Sequence, residues 1–228
     1  MPQIARIFLV PKKSNIDIIK NSLKIRENTG DNKMCRFWNK ALIMSCIVFP
    51  LLLTTSCAPT LADRVEAFQK AANSSDVEKS LSFYADDVRF EIAGTPMVIE
   101  GKENLRKPIE EHIMLNGHLT FTDTKVKGNT ATYKVKEQND WLKAAGIDAL
   151  YYEYDQLTFK DGLIKKEVAK PSQKSMKVMA EFRGTFEKWA SENQGQEWAK
   201  LKSEGITREN VSRWLAIIRQ WRQSRQAL

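Results

Sequence analysis

The spacing of hydrophobic and polar positions after residue 60 changes several times, and each change marks a predicted element. A first helix is predicted over 61–72, where apolar side chains recur at helical spacing. Those side chains are Leu61, Val65, Phe68 and Ala72. Ser75 and Glu78 form a capping-box pattern, which predicts a second helix from Ser75 to Tyr84. Two helices therefore precede the first predicted strand.

Alternating apolar and polar residues then predict a set of strands with turn residues between them. The predicted strands are 88–92, 97–100, 118–127, 130–140, 150–160 and 163–169. Asp161-Gly162 is a strong hairpin signal between the last two. A third helix is predicted from Glu103 to about Leu115, although Pro108 falls within it. Residues 141–146 are predicted to form a short helical or bulged insertion.

Three further helices are predicted after the sheet, at 175–193, 196–203 and 207–222. The last one carries an apolar stripe flanked by arginines, and its stripe is Val211, Trp214, Leu215, Ile218 and Trp221. Such a helix either packs against the rest of the protein or lies on a membrane surface. We favour packing, because stripes of this width usually belong to a core.

The order of these elements predicts an α+β fold in which a curved antiparallel sheet wraps around the N-terminal helices. Extra amphipathic helices follow at the C-terminal end of the chain. The hydrophobic content of 42% is enough for one substantial core with an appended helical piece.

The formal net charge of +8 first suggests a polyanionic partner, but its distribution argues against one. Residues 1–56 hold nine Lys or Arg and three Asp or Glu, so they account for six of the eight charges. The remaining body, with a net charge of +2, has little electrostatic attraction for nucleic acid. Nucleic-acid binding is therefore not expected.

The segment around Cys57 has the features of an export signal. Two positive charges follow Met34, residues 41–53 are uncharged and mostly apolar, and small residues lead to Cys57. The pattern resembles a bacterial lipoprotein signal, in which the cysteine is lipidated and holds the protein to a membrane. An uncleaved membrane anchor and ordinary secretory cleavage are the alternatives. Because Ala58 rather than Asp follows the cysteine, the resemblance implies a lipid-anchored protein of the bacterial cell envelope, at the outer membrane where one exists. A secreted or periplasmic protein is the alternative to a lipid-anchored one.

These features predict five segments along the chain. Residues 1–33 are unstructured or an upstream mis-extension, with Met34 as the true start. The others are a signal peptide at 34–56, a spacer at 57–60, the α+β domain at 61–172 and a helical extension at 173–228. The three cysteines, Cys35, Cys46 and Cys57, all precede the domain and cannot staple its core.

The stretch from Tyr84 to His112 reads YADDVRFEIAGTPMVIEGKENLRKPIEEH. It resembles the nuclear transport factor 2-like superfamily, specifically its SnoaL-like branch, and the resemblance extends over about Leu61 to Lys170. The resemblance implies a cone-like, cystatin-like roll that opens into an apolar pocket, and a homodimer unless the C-terminal helices cover the open face of the sheet. In the ketosteroid isomerase relative an Asp base stands at the place of Ile92, so that base is absent here.

Other residues are candidates for chemistry in the cone. Asp155 and Glu153 share an alternating strand face with Leu157 and Phe159, so burial of that face would perturb both carboxyl pKa values. We favour the alternative, a β-bulge that exchanges the faces and leaves both acids solvated or paired with lysines. His112 is a candidate base, or a hydrogen-bonded core histidine. The predicted pocket lining is Phe68, Phe90, Ile92, Tyr133, Glu137, Trp141 and Leu157.

Three functions are compatible with these features. The leading hypothesis is a lipid-anchored, non-catalytic domain whose cone binds a small apolar ligand or a protein partner. The second is an isomerase, cyclase or hydrolase that uses the carboxylates in the cone. The third is a membrane-surface assembly protein that acts through the last helix. No metal-ligand spacing, phosphate loop or dinucleotide fingerprint is present in the sequence, so no cofactor is expected.

Overall fold

The computed structural model describes residues 59–226. The predicted signal over 34–56 and the predicted lipidation site Cys57 lie outside the described residues. The helices and strands follow one another in the predicted order. The helices are α1 (Leu61–Ala72), α2 (Val77–Leu81), α3 (Lys102–Met114), α4 (Asp140–Ala145), α5 (Gln173–Asn193), α6 (Gly195–Glu204) and α7 (Val211–Gln226).

Six strands in the described residues form one curved sheet in the order β2-β1-β6-β5-β4-β3. The strands are β1 (Tyr84–Ile92), β2 (Val98–Glu100), β3 (His118–Lys127), β4 (Thr130–Gln138), β5 (Leu150–Lys160) and β6 (Leu163–Pro171). All neighbours are antiparallel except β1 and β6, which run parallel. The α+β class and the curved sheet are confirmed, whereas the prediction of a purely antiparallel sheet is wrong at this one pair. Hairpin turns fix the direction of consecutive strands only, and β1 and β6 are far apart in sequence.

The second helix is shorter than predicted. Asp76, rather than Ser75, is its N-cap, and the Asp76 side chain accepts a 2.9 Å hydrogen bond from the backbone nitrogen of Lys79. Tyr84, predicted at the end of the helix, is instead the first residue of β1, and it pairs with Ile164 of β6. Pairing in the sheet therefore begins four residues earlier than the alternating pattern from Val88 indicates.

One face of the sheet is buried beneath the N-terminal helices and is called the inner face here. Helix α1 packs on β3 and β4, and α3 packs on β1 and β2. The ring of Phe68 in α1 lies 5.6 Å from the ring of Tyr84, in a T-shaped contact, and 6.0 Å from the ring of Phe121. Phe121 in turn stacks on Tyr133 with 4.2 Å between ring centroids. These rings cover the middle of the inner face.

The C-terminal helices pack through a chain of aromatic contacts. Phe182 of α5 touches Trp141 of α4 at 4.7 Å between centroids and Trp221 of α7 at 5.0 Å. Trp198 of α6 lies 5.2 Å from Trp214 of α7. Because most of the apolar stripe of α7 is buried, the structure supports packing rather than a membrane surface for this helix. Within residues 59–226, no helix combines the length and the apolar character needed to cross a membrane.

Candidate functional site

The predicted pocket-lining side chains all lie in the interior of the protein. Each of them is at most 2% exposed, and they are Phe68, Phe90, Ile92, Tyr133, Glu137, Trp141 and Leu157. Ile92 is 1% exposed. Its neighbour Glu91 lies on the opposite face and forms salt bridges with Arg89 and Lys166.

A β-bulge in β5 separates the two predicted catalytic carboxylates. The pairing register of β5 shifts against β6 between Tyr152 and Tyr154, so the inward-facing positions change from Tyr152 to Asp155. Asp155 is 5% exposed and faces the interior. Glu153 is exposed, and its Oε2 forms a 2.6 Å salt bridge with Nζ of Lys170. The favoured prediction of a bulge agrees with this register shift and with the lysine-paired Glu153, but it is wrong for Asp155, which is buried instead of solvated.

Asp155 meets a second acid that the sequence analysis did not single out. Glu167, in the neighbouring strand β6, is 1% exposed, and its carboxyl group is within hydrogen-bonding contact of the Asp155 carboxyl group. Two carboxylates in such contact are held together only when a proton lies between them, because like charges repel strongly in a dry interior. The inner face therefore contains a buried carboxylic acid pair.

Two tyrosines flank this acid pair. The Tyr84 hydroxyl group donates a 2.8 Å hydrogen bond to Oε2 of Glu167. The Tyr133 hydroxyl group neighbours Asp155 closely enough to interact with its charge. Neither the Tyr133 hydroxyl oxygen nor Oδ1 of Asp155 has a partner with ordinary hydrogen-bond geometry, although both atoms are buried. The Tyr133 hydroxyl group nevertheless interacts with the Asp155 carboxyl group, so a donor and an acceptor face each other at one end of the pair.

Burial changes the protonation of the pair. Desolvation is the main cause that raises the pKa of Asp155 to about 6, whereas its hydrogen bond with Glu167 acts in the opposite direction. Burial, followed by the charge of Asp155, raises the pKa of Glu167 well above its usual range. Near neutral pH the pair therefore holds one proton, on the Glu167 side, and Asp155 is mostly ionised. One group is a base and its neighbour is an acid.

Glu137 forms a separate polar group on the inner face. Its Oε2 accepts a 2.6 Å hydrogen bond from the Tyr152 hydroxyl group, and its Oε1 accepts a 3.2 Å bond from Nδ2 of Asn139. Burial raises the pKa of Glu137, while these two donors lower it. Both carboxyl oxygens have donors, so Glu137 is better suited to a structural or ligand-orienting role than to proton transfer.

His112 lies apart from the acid pair, on α3. Its side chain is 3% exposed, and neither ring nitrogen has a hydrogen-bond partner. His112 is therefore a core histidine, but without the hydrogen bonds predicted for one. Burial lowers its pKa to about 3, which keeps the imidazole neutral and makes it a weak base at neutral pH. The ring packs against the backbone of Gly117, where a Cβ atom would come within 2.1 Å of Nδ1.

Surface pockets do not reach the acid pair. Four pockets described at the surface have volumes from about 380 to about 510 Å³, and none of these four is lined by Asp155 or Glu167. The outer face of β3, β4 and β5 lines the pocket that includes Glu153. In the part of the chain that the structure describes, no group of three or more His, Cys, Asp or Glu side chains is placed to hold a metal ion.

The sequence carried only a weak signal for Glu167. Glu167 lies on the same strand face as Ala169 and Pro171, which are buried, whereas Lys166 and Lys170 lie on the other face. A bulge between Ile164 and Lys166 conceals this pattern, because strict alternation from Ile164 assigns Glu167 to the outside. A search for the strand face without lysines would have found it.

Comparisons with known proteins give structural neighbours only. No protein-family model matches the chain, and no curated protein matches it. An NTF2-like protein of unknown function from Cytophaga hutchinsonii is 12% identical, with 53% of this chain and 97% of that chain covered and a TM-score of 0.43. A cystatin fold protein from Novosphingobium aromaticivorans is 15% identical, with 49% and 98% covered and a TM-score of 0.42.

An LEH-like epoxide hydrolase of M. tuberculosis is a third structural neighbour. It is 15% identical, with 51% of this chain and 85% of that chain covered and a TM-score of 0.43. Identities and scores this low assign neither a family nor an activity to the chain, so the functional argument rests on its own residues.

Proposed function

We propose that this protein is an acid–base enzyme that acts on a small, largely apolar substrate within its cone. The observation that carries the proposal is the buried pair of Asp155 and Glu167, with the Tyr133 hydroxyl group beside the Asp155 carboxyl group. Burying a carboxylic acid pair lowers the stability of a fold, and carboxyl groups with pKa values perturbed in this way are concentrated at functional sites.

Proton transfer next to a carbonyl group is the reaction that this arrangement supports best. Oδ1 of Asp155 accepts a proton from a carbon atom beside a substrate carbonyl group, and the electron pair moves onto the carbonyl oxygen. The Tyr133 hydroxyl group donates a hydrogen bond to that oxygen. Asp155 then returns the same proton to another carbon of the conjugated system, so no atom is gained or lost. A carboxylate base with a tyrosine donor and a protonated carboxyl group is a known set for such chemistry.

Glu167 and Tyr84 are positioning residues in this proposal. Glu167 holds a proton against Asp155 and thereby limits the rise of the Asp155 pKa. Tyr84 holds Glu167 through the 2.8 Å hydrogen bond. A base with a pKa near 6 is ionised at neutral pH and still accepts a proton effectively. Supporting hydrogen bonds of this kind keep a reacting carboxylate in one orientation.

The surroundings of the pair favour an apolar substrate. Aromatic rings of Phe68 and Phe121 cover the two tyrosines, and Leu157 on β5 is fully buried beside them. A ligand in contact with these side chains gains from apolar burial, whereas a highly charged ligand loses its hydration.

Hydrogen exchange provides a test that needs no knowledge of the natural substrate. A small cyclic β,γ-unsaturated ketone is incubated with the protein in D₂O, and deuterium incorporation and formation of the conjugated ketone are measured. We expect Asp155→Asn to reduce the rate about 100-fold or more, because general-base catalysis contributes that much. Glu153→Gln, which removes an exposed carboxylate from the same strand, should retain the rate. Equal rates for the two variants contradict the role of Asp155.

Non-catalytic binding of the same class of ligand is the second candidate. Asp155 and Glu167 line none of the four described surface pockets, so a ligand in one of these pockets would not touch the acid pair. This separation favours binding without catalysis. Binding of an apolar ketone that quenches tryptophan fluorescence, with no deuterium exchange at any pH from 5 to 9, would establish this candidate and exclude the enzyme.

The proposal includes a location at the bacterial cell envelope through lipidated Cys57, with secretion or a periplasmic location as the alternative. The basic, apolar and small-residue segments before Cys57 support it. A Cys57→Ser variant should move from the membrane fraction to the soluble fraction, whereas a Cys46→Ser variant should stay with the membrane. Membrane association that persists in the Cys57→Ser variant contradicts the anchor.

A further inference from the structure

A basic cleft lies between α4 and α7, away from the buried acid pair. It has a volume of about 380 Å³, and its polar lining consists of Asp140, Lys143, Arg219, Arg222, Gln223 and Gln226. Arg222 and Gln223 of α7 lie three and four positions after Arg219, and Gln226 lies four and three positions after them, so the four residues form one stripe along the exposed side of the helix. Three cations and two amide side chains therefore face a single surface depression.

The cations of this basic cleft are not neutralised by nearby acids. Within residues 59–226, Lys143, Arg219 and Arg222 form no salt bridge, whereas Arg213 of the same helix pairs with Glu197. The single acid in the lining, Asp140, accepts a 2.6 Å hydrogen bond from Nδ2 of Asn116 through its Oδ2. The cleft thus keeps a positive charge excess.

The guanidinium group of Arg222 is held in place by the end of α4. It packs on Gly146, where a Cβ atom would come within 2.8 Å of Nε. Its Nη1 also donates a 3.4 Å hydrogen bond to the carbonyl oxygen of Lys143. Gly146 has a positive φ of 78°, so a glycine is favoured there for conformation as well as for space. A positioned guanidinium group loses less freedom on binding a ligand than a free one.

Helix-end electrostatics explain only part of this cluster. Cations in the last turn of a helix complement its exposed carbonyl groups, which accounts for Lys143 in α4 and for the arginines near the end of α7. Arg219 lies about two turns before Gln226, beyond the range of that effect. Helix-end electrostatics therefore do not account for the presence of Arg219 in the same cleft as Lys143 and Arg222.

We infer that the basic cleft binds an oxyanion group, phosphate or sulfate, of a water-soluble ligand. Two guanidinium groups and one ammonium group match the charge and the acceptor geometry of such a group. The amide groups of Gln223 and Gln226 add neutral donors at the same stripe. This site is separate from the acid pair, and its occupancy does not depend on the proposed reaction.

Titration with inorganic phosphate and with sulfate, at constant ionic strength set by chloride, tests the inference. The full-chain protein is compared with a variant carrying Arg219→Gln and Arg222→Gln. A control carries Arg208→Gln and Lys127→Gln, two exposed cations outside the cleft with the same total charge change. We expect saturable binding by the wild type and the control, and a loss of about tenfold or more in affinity for the cleft variant.

A matching loss in the control, or the absence of saturable binding in the wild type, overturns the inference. Because Arg222 also contacts α4, its replacement could unfold the protein, and Arg219→Gln alone then provides the same comparison at an exposed position. Vesicles of phosphatidylglycerol and of phosphatidylcholine form the second arm. Binding to the anionic vesicles through Arg219, without binding of free phosphate or sulfate, contradicts a soluble ligand.

Discussion

The Tyr84 hydroxyl group donates a hydrogen bond of 2.8 Å to Oε2 of Glu167, across 83 positions of the sequence. Tyr84 begins β1 and Glu167 lies in β6, and these two strands are the parallel pair of the sheet. The contact therefore joins the first strand to the last at the place where Glu167 meets Asp155. The same pairing that closes the fold also positions the acid pair.

Replacing Glu167 with Gln should reduce the pH dependence of stability. The folded protein binds a proton at Glu167 more tightly than the unfolded chain does, because its pKa is raised in the fold. Stability in the wild type should consequently be highest below the unfolded pKa and decrease as the pH rises, by up to about 1.4 kcal/mol per pH unit for one group. Glu167→Gln should be more stable than wild type at pH 7, as measured by urea unfolding from pH 4 to pH 8.

Glu153→Gln is the matched control for this series, since Glu153 is exposed and paired only at the surface. Its stability profile should follow the wild type within about 0.5 kcal/mol. A Glu167→Gln profile that also follows the wild type would show that Glu167 titrates normally in the folded protein.

Tyr84→Phe should destabilise the protein by about 1–2 kcal/mol, because a buried carboxyl oxygen loses its donor. It should also raise the pKa of Glu167 further, since the Tyr84 hydrogen bond lowers that pKa. Urea unfolding at pH 7 and at a higher pH, at which Glu167 of the wild type ionises, measures both effects, and the larger loss is expected at the higher pH. Tyr151→Phe, at a half-exposed tyrosine, should change stability little.

His112 should contribute to acid lability. Burial lowers its folded pKa to about 3 from the ordinary value of 6.5, so the unfolded chain binds the proton more tightly. The stability that depends on neutral His112 is fully present above pH 6.5 and decreases as the pH falls toward 3, by up to about 1.4 kcal/mol per pH unit. His112→Asn should flatten this part of the profile. His118→Asn, at an exposed histidine, should leave it unchanged.

Gly117→Ala should destabilise the protein by about 1–3 kcal/mol, because the added methyl group would overlap the His112 ring. A second substitution, His112→Ala, removes the ring and should make Gly117→Ala nearly neutral in that background. The double-mutant cycle measured by thermal or urea unfolding gives the coupling directly. Additive effects would place the cost of Gly117→Ala elsewhere than in the ring contact.

Local patterns in the sequence predict most of the fold. Capping residues and helical spacing define α1, for which the predicted bounds of 61–72 agree with Leu61–Ala72. The hairpin signal at Asp161-Gly162 likewise defines the end of β5 and the beginning of β6. These features depend on neighbours within a few residues, which a single sequence displays.

Features that depend on contacts between residues far apart in the sequence are harder to predict from local patterns. The parallel pairing of β1 with β6 joins segments about 80 residues apart, and no turn between them specifies a direction. The bulge in β5 separates Asp155 from Glu153, and the sequence favours a bulge there without showing which of the two acids stays buried. Glu167 was missed because a bulge in β6 inverts the apparent alternation. The candidate site is therefore built largely from irregularities that local periodicity does not display.

The acid pair is tested most directly by carboxyl-carbon NMR titration of the protein, with Asp155 and Glu167 assigned through Asp155→Asn and Glu167→Gln. We predict that one transition of the pair falls near pH 6 and the other lies well above the usual range of a glutamic acid. Removal of either residue should shift the transition of the other, because the two groups titrate together. Two independent transitions near pH 4, each unaffected by loss of the other residue, would contradict a shared proton and with it the proposed acid–base site.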